Sequence, residues 1–323
     1  MDVNGVKTDY LNEKIERITG INRQGGIRNP RFVEGKELES LRARLVATAN
    51  SDFHLREDGR AEYYEGDLDR LGIFKETLRN FGEMKLNEQQ RDGYIQQNVP
   101  SPMGKVLEYW GVQPGNKSFH NTGLSPAVLG SSLEAALKYL EDLIPQDGSF
   151  SSAFEWTRCI AIRGGREGIP YGFESKISDR CVNLLKSHEY TKIDSKGNHR
   201  ITIRNLDTLL QNDNPEIAAI AEEIMSAVFN FPCNLILDEK EIAERADIKV
   251  NEVPREVRYY PKTGKVTVAW VARTASVDDT IRWALLCPPN DVRKKFKVEK
   301  FLEKRKDAVE RIMNELKSEG FEL

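Results

Sequence analysis

Two helical segments, residues 36–52 and 132–147, each lead into a pair of extended segments. In the first half the pair is FHLREDGRAEYYEG, folded about an Asp-Gly turn, which is a strong hairpin signal. An amphipathic helix follows (DLDRLGIFKETLRNFG), with Asp67 near its start and Gly82 at its end. EMKLNEQQ and GYIQQNV form a second extended pair through Arg91-Asp92-Gly93, and SPMGKVLEYWG closes the set as a helix. The second half repeats this order in enlarged form. Ser132 caps the helix LEAALKYLEDLIPQD, FEWTRCIAI is an apolar strand, and SDRCVNLLKSH reads as a helix. NHRITIRNL reads as a strand, NPEIAAIAEEIMSAVF as a helix, and VPREVRYYPKTGKVTVAWVART as a hairpin. The helix VDDTIRWALL and one long basic amphipathic helix complete the half. The expected division is an irregular arm (1–37), a first unit (38–110), a Gly/Pro/Asn/Ser-rich linker (111–131) and a second unit (132–323). The duplication is one of element order, not of residue identity.

A chain of 323 residues with 31% charged and 39% hydrophobic side chains suits a well-charged globular protein of about two domains. No apolar run approaches the roughly 20 residues of a membrane span, and the first residues lack the apolar core of a signal peptide. A cytoplasmic address and no membrane partner are therefore expected. The four cysteines and four histidines show no metal-ligand spacing. A net charge of −3 does not favour nucleic acid, although a local basic face can hide in a neutral total.

Both long helices end on an acid, where the negative end of the helix dipole makes a carboxylate cost about 0.3–1 kcal/mol. Asp52 ends the first and Asp147 the second, 95 residues apart, and Gly148 reads as an ordinary helix stop. Ala43, Ala47 and Ser51 form a row of small side chains that lets another helix approach closely. The stretches LVATANSDF (45–53) and LEDLIPQDG (140–148) resemble the motif that names the LAGLIDADG homing endonucleases. The second copy matches at Leu140, Leu143, Ile144, Asp147 and Gly148; the first keeps Leu45, Ala47 and Asp52. The resemblance implies an α+β fold of two pseudo-symmetric αββαββα units, whose antiparallel sheets form a DNA-binding saddle about a pseudo-twofold axis in one monomeric chain. It implies that Asp52 and Asp147 converge, bind Mg²⁺ or another divalent cation, and cleave the two strands of duplex DNA. Two carboxylates brought together at two dipole ends are costly unless a cation sits between them, and Mg²⁺ takes hard oxygen ligands.

A saddle demands basic, polar or aromatic side chains on alternate strand positions. The first unit offers Arg56, Arg60, Tyr64, Lys85, Gln89, Gln96 and Gln97. The second offers Arg158, then Arg200, Thr202 and Arg204 on one strand face, and Arg258, Lys265, Thr267 and Arg273 from the last hairpin. The same residues equally suit the wet face of an antiparallel sheet.

The pattern departs from the family at three places. Phe53 stands where the motif has glycine, and Asp142 and Gln146 replace small residues at the helix contact. The basic residue the family places near the end of each fourth strand is Arg273 in the second unit, whereas the first shows Gln97 and Asn98, with Lys105 further on. These departures keep open a binder of the same fold that does not cut, acting on structured RNA as a splicing maturase or as a regulator. An unrelated α+β enzyme, in which the two helices do not lie side by side, is the third reading. Residues 238–253 faintly resemble a helix-turn-helix, but Pro254 truncates its second helix.

Overall fold

The computed structural model describes residues 15–19, 25–166 and 169–321. Within the arm, β1 (Arg17–Thr19) and β2 (Gly26–Arg28) pair antiparallel; residues 1–14 and 20–24 of that segment lie outside the described residues. The first unit runs α1 (Gly35–Ala49), β3 (Phe53–Leu55), β4 (Ala61–Glu65), α2 (Leu68–Arg79), β5 (Glu83–Met84), β6 (Asn87–Arg91), β7 (Tyr94–Val99) and α3 (Ser101–Tyr109). The connector holds a single 3-10 turn, Lys117–Phe119, and α4 (Pro126–Leu129). The second unit opens with α5 (Leu133–Asp147), β8 (Gly148–Phe150) and β9 (Phe154–Arg163). Five elements are inserted after β9: α6 (Asp179–Lys186), β10 (Lys192–Ile193), β11 (His199–Thr202), α7 (Ile203–Leu209) and α8 (Pro215–Asn230). Then come α9 (Asn234–Glu244), β12 (Val250–Tyr260), β13 (Lys265–Thr274), α10 (Val277–Leu286), α11 (Val292–Glu303) and α12 (Lys306–Ser318).

The two main sheets are antiparallel and share a topology. One has the order β3-β4-β7-β6; the other contains β8-β9-β13-β12, extended beyond β12 by β11 and β10. Taken in chain order, each places its first, second, fourth and third strands side by side. The molecule is thus an α+β protein of two pseudo-symmetric units. In both sheets alternate side chains face the helices. Tyr63 is fully buried on β4, and Phe154, Trp156 and Ile162 alternate with half-exposed neighbours on β9.

α1 and α5 pack side by side. Ala43 and Ala47 of α1 and Ala135, Ala136, Tyr139, Leu140 and Leu143 of α5 are all buried. The bulkier α5 residues at this seam are absorbed by polar pairing. Arg44 reaches Glu141 at 3.1 Å and Asp142 at 3.5 Å, and Gln146 donates to the Tyr63 hydroxyl at 3.0 Å. Asn290 donates to Asp142 at 2.8 Å. Burial pushes the Asp142 carboxyl up to about 7, against the pull of Arg44.

Four sequence expectations need correction. The arm is not wholly irregular, because β2 pairs with β5 and so shortens the predicted strand 83–90 to β6. NHRITIRNL is a strand only to Thr202, whose hydroxyl accepts from Asn205 N–H at 3.1 Å and starts α7, with Leu206 buried beneath. The C-terminal helix is two helices, broken at Lys304-Arg305, so that Ile312 and Leu316 of α12 turn inward beside α10. Gly148 does stop α5, in an extended conformation (φ −95°), whereas the first helix ends at Ala49, three residues short of Asp52. Glycine suits position 148 because a Cβ there would lie 2.7 Å from Ile144 Cα.

Candidate functional site

The seam between the units ends in a cluster of charges. Asp147 is the last residue of α5; Asp52 follows α1 by three positions, held by its carbonyl accepting from Tyr64 N–H at 3.0 Å. Asp52 reaches the surface, yet its carboxyl is pushed up to about 6, first by desolvation and then by the charges of Asp147 and Glu65. The two acids predicted to converge are therefore close enough to repel.

Something positive does wait for each helix end. Arg158 is buried and bonds Asp147 through Nη1, which also donates to Asn50 O, the cap carbonyl of α1, at 3.1 Å. One guanidinium thus joins the ends of both seam helices. Its other edge is held by the fully buried Glu239 of α9, at 2.6 Å from Nη2. Glu239 also accepts from Tyr139 Oη at 2.9 Å and from Trp156 Nε1 at 2.8 Å, so no oxygen of this buried acid is left unpaired. Lys117 of the linker donates to Ser51 O and feels both aspartates. Desolvation outweighs that attraction and lowers its amine to about 7. At the far side, Lys294 donates to the carbonyls of Ile144 and Pro145 at 2.7 and 2.9 Å, and Arg70 also bonds Pro145 O. Lys294 and Arg70 thus sit at the negative pole of the α5 dipole, where Ile144 O also accepts from Gly148 N–H.

Among the described residues no group of three or more His, Cys, Asp and Glu is placed to hold a metal ion. Mg²⁺, however, needs only one or two carboxylates, with water and substrate phosphate completing its shell. Asp52 forms no ion pair among the described residues, and Asp147 has one oxygen beyond its bond to Arg158. The donors fit one shared hard cation. They do not fit a symmetric pair, because Arg158 already occupies one side of Asp147.

The sheet faces turned away from the helices carry most of the other predicted residues. Arg56, Arg60 and Lys85 border one recess with Glu62, Asn87 and Asn98. Tyr64 and Gln89 lie opposite Gln96, on its two flanking strands. On the second sheet Arg200, Arg258 and Thr267 are cross-strand neighbours, and Lys265 and Arg273 share their face. Many of these groups are partnered: Glu62 takes Arg56 and the Tyr64 hydroxyl, Glu256 takes Arg258 and Arg200, and Asp58 takes Arg60.

Five predicted residues sit elsewhere or are covered. Arg158 shares the buried parity of Phe154, Trp156 and Ile160 and belongs to the seam. Gln97 is opposite Tyr63 on the helix side, fully buried, donating to Asn87 O. Arg204 is exposed on α7, not on a strand, and Thr202 is spent on capping that helix. Thr267 is on the open face but only 1% exposed. Lys105, considered for the first site, bonds Glu57 O and Glu108 away from the seam. Sequence reasoning missed Lys117, Glu239 and Arg70. The one available signal was the strand alternation of FEWTRCIAI, which already sets Arg158 among the apolar positions.

No protein-family model matches the chain, and no curated protein matches its sequence. Among solved structures it is similar to mesophilic variants of the homing endonuclease I-DmoI, with a TM-score of 0.37 and 9% identity over 78% of this chain and 90% of that one. A variant of I-DmoI in complex with its target DNA in the presence of manganese gives a TM-score of 0.34 and 9% identity over 77% and 93%. A likeness this distant says nothing of chemistry.

Proposed function

We propose that the chain is a site-specific, divalent-metal-dependent endonuclease of the LAGLIDADG type, gripping duplex DNA with the open faces of its two sheets and cutting at the seam. The observation that supports this is the meeting of Asp52 and Asp147 at the ends of two helices that occupy equivalent places beside two sheets of equal strand order. Asp52 and the remaining oxygen of Asp147 would hold the cation, which would supply Lewis-acid activation of water and charge stabilisation at the leaving oxygen. Arg158 fixes the orientation of Asp147, and Lys117 sets a positive charge beside both carboxylates, where a phosphate enters. Arg56, Arg60, Tyr64, Lys85 and Gln89 on one face, and Arg200, Arg258, Lys265 and Arg273 on the other, contact phosphates and base edges, with Arg204 at the rim.

One observation favours a second reading, in which the same fold binds nucleic acid without cutting it: Arg158 and Lys117 already bring positive charge to the acids a metal would neutralise. Both readings are tested by challenging wild type, Asp52→Asn and Asp147→Asn with a randomised duplex library and Mg²⁺. A defined double-strand cut, lost in both variants, supports the endonuclease. Salt-sensitive binding of a defined duplex with no cut, wild type included, leaves the binder.

A further inference from the structure

Beside the seam, the second unit carries an aromatic recess that duplex contacts do not explain. After β9 the chain turns at Pro170–Phe173, closed by Phe173 N–H donating to Pro170 O at 3.1 Å. Gly172 takes φ +79°, as the third position of a type II turn requires, and Tyr171 is left fully exposed at the tip. Phe173 meets Phe119 of the linker edge to face, ring centres 4.9 Å apart. Phe231, just after α8, is also exposed, with Lys176 Nζ 4.8 Å from its ring centre. Lys265 Nζ lies 5.6 Å from the ring centre of Phe119. Together with His120 these side chains bound a recess of about 350 Å³. It shares His120, Asn121 and Ile160 with the cavity lined by Asp147, Lys117 and Arg158.

We infer that this recess receives one unpaired nucleobase of a bound nucleic acid, an inference that rests on the nucleic-acid reading above. An exposed tyrosine and phenylalanine offer ring faces, and every base has a π-face to stack on them. Lys176 in the wall and Lys265, outside it against the Phe119 ring, match the phosphates on either side of such a base, and a single acid, Glu174, lies in the wall. A base cannot reach the recess while it stays paired and stacked, so the ligand is a bulged, looped or flipped nucleotide. Tyr171, Phe173 and Phe231 all come from segments inserted between the second and third strands of the repeat, so the first unit has no equivalent. The recess accepts a base on one side of the centre only.

The test compares a duplex bearing one unpaired nucleotide with the same duplex fully paired, by fluorescence anisotropy over a range of salt. Wild type is expected to bind the bulged duplex about tenfold more tightly, the size of one base–aromatic stack. Tyr171→Ala and Phe231→Ala should each remove most of that preference and leave the paired duplex unchanged. Tyr171 touches solvent on all sides, so its loss costs the fold little. With 2-aminopurine as the unpaired base, wild type should quench its fluorescence and Tyr171→Ala should not. Equal, salt-sensitive binding of both duplexes overturns the recess alone, as does a preference that survives both variants. Failure to bind either duplex overturns the recess and the nucleic-acid reading together.

Discussion

Arg158 joins three things: the cap carbonyl of α1, the acid that ends α5 and is proposed for chemistry, and an acid that never sees water. Removing it strands Glu239 without a counter-ion in the interior. Arg158→Met is therefore expected to lose about 3–5 kcal/mol in urea unfolding, whereas adding Glu239→Leu should recover much of that loss. Titration behaves in the opposite sense to an ordinary acidic pair. The carboxyls of Asp52 and Asp142 sit near 6 and 7 in the folded chain against 3.8 for the free side chain, so the folded state holds protons that the unfolded state has released. Stability from these groups is present below about pH 4 and lost as pH rises through the folded values. Urea midpoints measured on both proteins should show Asp142→Asn gaining on wild type by about 1.4 kcal/mol per pH unit within that window. On the open faces, Glu62 and Glu256 compete with phosphate for their arginines. Glu62→Gln and Glu256→Gln should each tighten duplex binding several-fold in anisotropy at low salt; unchanged or weaker binding would show that those arginines do not touch the nucleic acid.

Elements were legible from the sequence where local chemistry agreed with the tertiary fold. The Asp-Gly turn, the hairpin of β12 and β13, Asp67 at the start of α2, the Ser132 cap and the apolar strand β9 all stand where the sequence places them. The split of residues 83–91 and the helix at 203–209 were not legible, because each depends on a partner distant in sequence: the arm strand β2 in one case and a buried seat for Leu206 in the other. The same holds at the seam. Asp52 and Asp147 could be found from a nonapeptide, but nothing in GNKSFHN announces that Lys117 folds back onto a helix end 66 residues earlier. The helix pair offers its own test. Ala47 is fully buried in the small-residue row, so Ala47→Leu should cost about 1–3 kcal/mol by overpacking. By spreading the two aspartates it should also abolish cleavage while duplex affinity persists, read by thermal melting and nicking assays.

At the scale of the molecule, local pairing reconciles a net charge of −3 with the proposed nucleic-acid face: acids hold open-face arginines that phosphate would take over. Affinity should fall by about 0.9 log units per log unit of salt for each phosphate contacted, and neutralising the arginines of one sheet should flatten that slope without abolishing it. A slope near zero would end the saddle reading. Covalent continuity adds one more constraint. Two equivalent halves joined by a pseudo-twofold axis would present identical ends to a duplex, but a single strap crosses between them, leaving Lys117 at the acids and Ser118 on Lys265. Among the described residues no second strap mirrors it. A complex with a duplex would therefore have a head and a tail, and the duplex would read differently in its two directions, so the preferred sequence should be one that is not its own reverse complement.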